Sequence, residues 1–164
     1  MEKEWGSTFD VLYDDNNYNG LEKVVISTCW KKSSSSEHIR ASIIQLNSVT
    51  GRKPVLCKAK RSISNFKVRR GDVNGCKVTL RGKDAVNFLK KLFLVVLPSM
   101  SYFKGLKGNK GSGNYNIGID RIYYFPELVA SNDPMHKNVV GCNIAVVGKY
   151  NDMNEIYNTN LFIN

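Results

Sequence analysis

The 164-residue sequence predicts an α+β fold: a largely antiparallel sheet, helices packed on one face, and the other face open. Three observations lead there. Short β-branched runs alternate with two stretches of helical periodicity. Both helical stretches carry start and stop signals. Between two of the strand-like runs lies a basic segment with too little apolar content to be buried, which an open sheet can present to solvent.

Met1 to Gly20 is polar and ends in an Asn/Asp-rich tract, with Trp5, Phe9 and Leu12 spaced as one face of a short helix. Glu22 to Trp30, around Val24-Val25-Ile26, reads as the first strand. Ser34 and Glu37 have the spacing of a capping box, in which hydroxyl and carboxylate each satisfy an orphan backbone N–H. The helix they start runs from about Ser36 to Val49, with Ile39, Ile43, Leu46 and Val49 inward and Gly51 as its stop. Pro54 to Lys58 and Gly75 to Leu80 are the next two strands. A second helix spans Lys83 to Leu97, opened by Gly82 and ended by Pro98. Val86, Leu89, Phe93 and Val96 form its inward stripe, widened by Leu92 and Leu97. Ser99 to Gly118 is glycine-rich and irregular, Ile117 to Phe125 is a strand closed by Pro126, and Asn143 to Lys149 is the last strand. A short helix from Asp152 to Leu161 follows. No internal repeat is evident, and residues 1–164 are expected to form a single domain with a projecting basic loop at 62–71.

Charge is segregated. From Arg52 to Lys110 there are 16 Lys and Arg against 2 Asp and Glu, a net +14, whereas the remaining residues hold 8 and 12, a net −4. Uniform basicity would argue only solubility; a cationic block argues a binding face for a polyanion. The densest part is Gly51 to Gly82, which with Lys83 carries eleven basic residues and Asp72 as its single acid. Its short basic groups are separated by Ser62, Ser64, Asn65 and Phe66. Arg and Lys neutralise phosphates, Phe66 can stack on an exposed base or sugar, and the Ser and Asn side chains can bond 2′-hydroxyls. Gly71 lets the chain turn back. Lys77, Thr79 and Arg81 alternate with Val78 and Leu80, so the polar three share the wet face of their strand.

Enzyme chemistry finds no support. His38 and His136 have no spaced Cys, Ser or carboxylate partner, and Asp72, Asp84 and Asp120 are scattered. The glycines from Gly105 to Gly113 spell neither a P-loop nor a dinucleotide fingerprint. Cys29, Cys57, Cys76 and Cys142 contain no C-x-x-C pair and are expected as buried free thiols, with no metal and no cofactor. No apolar run approaches the ~18 residues of a membrane span, and no basic amphipathic helix points to a membrane surface. MEKEWGSTFD reads as neither a secretory signal nor a transit peptide. With the abundance of Asn, Lys, Ile and Tyr, this points to synthesis inside an organelle.

Gly51–Gly82 resembles the corresponding segment of the universal large-subunit ribosomal protein five (uL-five) family. The resemblance continues through Val96-Leu97-Pro98, Tyr102 to Leu106, Gly113 to Gly118 and Phe125-Pro126-Glu127, and resumes at Gly141 to Ile144. It covers roughly three quarters of the chain, as several motifs in the family's order. It implies a structural RNA-binding protein of the large subunit with a sheet related to the ferredoxin-like plan. It further implies 5S ribosomal RNA (or its replacement) and large-subunit rRNA as partners in the central protuberance, beside other proteins there. The residues it assigns to ribosomal RNA are Arg52, Lys53, Thr79 and Arg81, to which the charge pattern of the same segment adds Lys58, Lys60 and Lys77. It assigns P-site tRNA to Ser62, Ser64, Asn65, Phe66, Lys67, Arg69, Arg70 and Gly71. Lys104, Lys107, Lys110 and Asn114 fall in the part that implies a bridge to a small-subunit head protein. The sequence departs from the family at Arg52, where Gln is usual, at Ser27-Thr28-Cys29, and at a shortened Asn109 to Ser112. The expected location is a mitochondrial ribosome, with plastid or bacterial cytoplasm as alternatives. The competing reading is a free-standing nucleic-acid enzyme or RNA maturation factor using the same basic face.

Overall fold

The computed structural model describes residues 21–30, 36–101, 114–130 and 140–148. Five strands are present: β1 (Leu21–Cys29), β2 (Val55–Lys58), β3 (Val73–Leu80), β4 (Asn114–Ile119) and β5 (Cys142–Gly148). They form one open antiparallel sheet in the order β2-β3-β1-β5-β4, which with its helices makes the fold α+β as expected. Burial alternates along the strands: Val24, Ile26 and Thr28 on β1, Tyr115, Ile117 and Ile119 on β4, and Cys142, Ile144 and Val146 on β5 are buried. This period of two is what a sheet with one covered and one solvated face requires.

Contacts divide the chain into two compact units. The described residues of the first are 21–24, 80–101, 114–117 and 145–148, and those of the second are 25–30, 36–79, 118–130 and 140–144. In the first unit, α2 (Lys83–Lys91) buries Ala85, Val86, Phe88 and Leu89. Asp84 in its first turn and Lys90 and Lys91 in its last complement the helix dipole. The helix does not stop at Leu97 as its proline suggests. It passes through a π turn, Leu92–Val96, into a final turn, Leu97–Ser99, that contains Pro98. Proline has no N–H to give and its ring crowds the carbonyl four residues back. The chain accommodates it by widening, so that the Leu97 N–H donates to the Leu92 carbonyl five residues back. The widened turn brings Leu92, Phe93, Val96 and Leu97 all inward.

In the second unit, α1 (Ser36–Thr50) buries Ala41, Ser42, Gln45, Leu46 and Val49. Ile39 and Ile43, expected inward, are only half-buried. The buried face is thus rotated toward Ala41, Ser42 and Gln45. The buried Ser42 hydroxyl donates to the His38 carbonyl at 2.8 Å, so its burial leaves no unmet donor. A short helix α3 (Pro126–Ala130) packs against α1. The expected strand from Ile117 to Phe125 is a strand only to Ile119; Ile122–Tyr124 is a 3-10 turn. The Ile122 N–H donates to the Val140 carbonyl at 2.9 Å and the Phe125 ring is fully buried, which turns the chain inward there. Pro126 therefore opens a helix, where its fixed φ and missing N–H cost nothing, instead of closing a strand. The expected helices near Trp5 and Asp152, and the capping residue Ser34, lie outside the described residues. No described helix is long and apolar enough to cross a membrane.

Candidate nucleic-acid interface

The basic segment is a hairpin built on a hairpin. Strands β2 and β3 pair antiparallel, with Val55 opposite Lys77, Leu56 opposite Cys76 and Cys57 opposite Gly75. The register then shifts so that Lys58 faces Val73, which leaves Asn74 as the extra residue of a bulge. Trp30, just after β1, fixes that bulge. Its backbone N–H donates to the Asn74 carbonyl at 3.0 Å and its indole N–H to the Val73 carbonyl at 3.1 Å. Gly75 lies under the same stretch of β1: a β-carbon there would stand 2.5 Å from the Thr28 carbonyl oxygen. No side chain fits.

Beyond the bulge the two arms are tied repeatedly. The Ala59 N–H donates to the Asp72 carbonyl and the Gly71 N–H to the Ala59 carbonyl, at 2.8 and 2.9 Å. Farther out, Ile63 and Val68 exchange backbone hydrogen bonds of 2.9 and 3.2 Å. The tip is the four-residue turn Ser64-Asn65-Phe66-Lys67, closed by the Lys67 N–H on the Ser64 carbonyl at 2.9 Å. Lys67 has φ +53° and Gly71 φ +94°. Glycine adopts that region freely, whereas lysine does so at a cost. The finger is therefore an ordered secondary hairpin, where the sequence suggested only a loop held at its ends.

Two polar side chains of the basic segment also build the finger. The Ser62 hydroxyl oxygen accepts the Arg70 N–H at 2.9 Å, tying one arm to the other. Asp72 accepts the Arg69 N–H on its Oδ2 at 2.8 Å. The cations remain outward. Lys58, Lys60, Lys67, Arg69 and Arg70 are exposed, and among the described residues their side chains form no ion pair. Ser64, Asn65 and Gly71 are exposed too, and Phe66 is 74% exposed at the tip. Arg52 and Lys53 are exposed in the turn between α1 and β2.

On β3, Lys77 and Thr79 are exposed between buried Cys76, Val78 and Leu80, as the alternation requires, and Arg81 just beyond is exposed. The solvated face around them in the second unit is polar: the Ser27 hydroxyl donates to the Asn143 carbonyl at 3.5 Å. Asn114 opens β4 with its side chain exposed, while Lys104, Lys107 and Lys110 lie outside the described residues. Sequence reasoning does not single out Trp30, Asn74 or Gly75. The Asn-Gly dipeptide inside a strand-like run is the available signal, since glycine there marks a bulge or a close backbone approach.

The cysteines divide, against the expectation of four buried thiols. Cys76 and Cys142 are buried, Cys57 is half-buried and Cys29 is exposed. The exposed position follows from Cys29 ending β1 on its solvated side. Burial pushes the Cys142 thiol up to about 12. Burial, with smaller contributions from Cys57 and Cys29, pushes Cys76 up to about 11. Among the described residues no three His, Cys, Asp or Glu side chains converge to hold a metal ion.

Known proteins match this chain along its length. The family model for ribosomal protein L5 matches residues 19–69, and the model for the C-terminus of the same ribosomal family matches residues 73–160. The chain belongs to the ribosomal protein L5 family. The large ribosomal subunit protein uL5 of Natranaerobius thermophilus is 48% identical over 137 residues, covering 78% of this chain and 76% of that protein. The large ribosomal subunit protein uL5c of Euglena longa is 42% identical over 130 residues (77% and 71%), and the uL5 of Mycoplasma pneumoniae 39% over 138 residues (82% and 75%). As an L5 family member the chain is a structural, non-enzymatic constituent of the large ribosomal subunit. The two family matches leave a gap of three residues, 70–72, on the return arm of the finger just before β3.

Proposed function

We propose that this chain sits in the central protuberance of the large subunit, binds 5S ribosomal RNA or its replacement, and reaches P-site tRNA with its finger. Arg52, Lys53, Lys58, Lys60, Lys77, Thr79 and Arg81 serve the ribosomal RNA, and residues 62–71 serve the tRNA. Other central-protuberance proteins flank it, and the segment with Lys104, Lys107, Lys110 and Asn114 faces a small-subunit head protein. The ribosome is mitochondrial, a reading supported by composition; the relatives carry bacterial source names and, for Euglena longa, the name uL5c. Plastid or bacterial cytoplasm is the alternative.

One observation carries this division of labour. Two cation sets stand on different supports: Lys77 on the strand, and Lys67, Arg69 and Arg70 on a separately hydrogen-bonded hairpin beyond the bulge. Lys67, Arg69, Arg70 and Lys77 are exposed and form no ion pair among the described residues; such cations attract phosphate, and their placement sets which RNA they meet. The test replaces Thr79 and Arg81 together by Ala, and separately shortens Ser64–Arg70. The first change is expected to weaken incorporation into the large subunit. The second leaves incorporation intact and speeds P-site tRNA dissociation from assembled ribosomes. Equal incorporation defects from both would contradict the division. Absence of the chain from purified subunits by mass spectrometry would end the reading.

A further inference from the structure

One flank of the finger is apolar where the rest is cationic. Ile63, Val68, Ala59 and Phe66 line an open groove of about 590 Å³ together with Asn74, Lys60 and Arg61. The volume is in the range of small-ligand clefts. Ile63 and Phe66 are 47% and 74% exposed, so the loop does not fold over them. Asn74 accepts the Trp30 N–H on its carbonyl at the bulge. Its side-chain amide has no hydrogen-bond partner among the described residues.

We propose that this groove takes one unstacked nucleobase of a single-stranded RNA segment. The base lies on the Phe66 ring against Ile63 and Val68, the Asn74 amide meets its hydrogen-bonding edge, and Lys60 and Arg61 hold the adjoining phosphate. The inference rests on the reading of the finger as RNA-binding and adds to it a ligand class and a residue, Asn74. The two exposed cations in the lining favour a nucleotide over an apolar protein side chain, since a polyanion brings its own phosphates to Lys60 and Arg61. The aromatic wall favours a base over a duplex. Bases in an A-form helix are stacked and their major-groove edges are out of reach of side chains, whereas splayed bases stack on aromatic rings. An amide supplies a donor and an acceptor side by side, the pattern that base edges present.

The test is equilibrium binding of a short single-stranded RNA with a central 2-aminopurine to the full chain, beside a duplex of the same length. Phe66→Leu keeps the groove apolar and removes the ring. It is expected to weaken single-strand affinity about tenfold, abolish the 2-aminopurine quenching, and leave duplex affinity and the salt slope unchanged. Asn74→Ala is expected to weaken binding in a base-dependent manner. Arg69→Gln with Arg70→Gln lowers the salt slope for both RNAs. Unchanged affinity and quenching in Phe66→Leu, with the double-arginine effect present, would overturn the groove and leave the RNA-binding finger standing. Absence of both effects would overturn both. A Phe66→Leu defect in subunit assembly without any change in RNA affinity would assign the groove to a protein partner and overturn the nucleobase. Thermal melts of each variant check the fold.

Discussion

The Thr28 carbonyl oxygen stands 2.5 Å from where a β-carbon on Gly75 would be, and the Cys29 Cα stands 3.3 Å from it. Backbone is packed on backbone where the end of β1 lies beside β3 at the base of the finger. Trp30 continues from this contact to the carbonyls of Val73 and Asn74.

Gly75→Ala forces two strands apart, since the atom met at 2.5 Å is a backbone carbonyl oxygen that cannot rotate away as the Cys29 Sγ at 3.3 Å could. The expected loss is about 1–3 kcal/mol, the usual range for overpacking, read as a lower urea midpoint at unchanged m-value. Gly71→Ala is the contrasting case: nothing lies within 4 Å, and only its φ of +94° is strained. A stability loss at Gly71 as large as at Gly75 would show that backbone conformation, not close approach, dominates here.

Trp30→Phe keeps a large ring and removes the indole N–H that the Val73 carbonyl accepts. About 1 kcal/mol of stability should go with it. Amide hydrogen exchange at Ala59 and Gly71, whose N–H groups tie the neck of the finger, should speed up. Protection unchanged at both amides would mean that the neck holds without Trp30.

Lys67 combines a left-handed backbone with a charge, and the two can be separated. Lys67→Gly relieves the backbone cost and should stabilise by up to about 1 kcal/mol, while lowering the slope of log affinity for RNA against log salt by roughly 0.7–0.9. Lys67→Val loses the same charge and destabilises. Stability by thermal melt and affinity by a salt titration should therefore move in opposite directions for the glycine variant.

Cys76 and Cys142 make stability depend on alkaline pH. Their folded values, about 11 and about 12, lie above the ordinary 9.0 of the unfolded chain. Below pH 9 both states keep their protons and nothing changes. Above it the unfolded chain releases protons that the folded chain retains, so stability falls by up to roughly 1.4 kcal/mol per pH unit per thiol. The fall ends as pH passes the folded values. Cys142→Ala should show a shallower loss between about pH 9 and 10.5 than the parent by urea denaturation. Maleimide at neutral pH should modify Cys29 quickly and reach Cys76 and Cys142 only on unfolding, which mass spectrometry of timed samples would check.

Much was legible in the chain. The alternation of Lys77, Val78, Thr79, Leu80 and Arg81 declares which side of β3 is wet, because a strand has a period of two whatever surrounds it. The start and composition of α1 and α2 and the cationic block are likewise local properties. Pro98 and Pro126 show where such reading stops. A proline restricts φ and removes a donor, but whether the chain breaks, bulges or starts a helix depends on what else its neighbours can bond.

What the amino-acid order determined by itself is which residues alternate, which cluster by charge and which face of each element is apolar, since these follow from periods of about 2 and 3.6 residues. What only tertiary structure decided is the rotation of α1 onto Ala41, Ser42 and Gln45, the bulge at Asn74 and the need for glycine at position 75. Each of those is settled by a partner far away in the chain. No local pattern encodes how closely a distant backbone will approach.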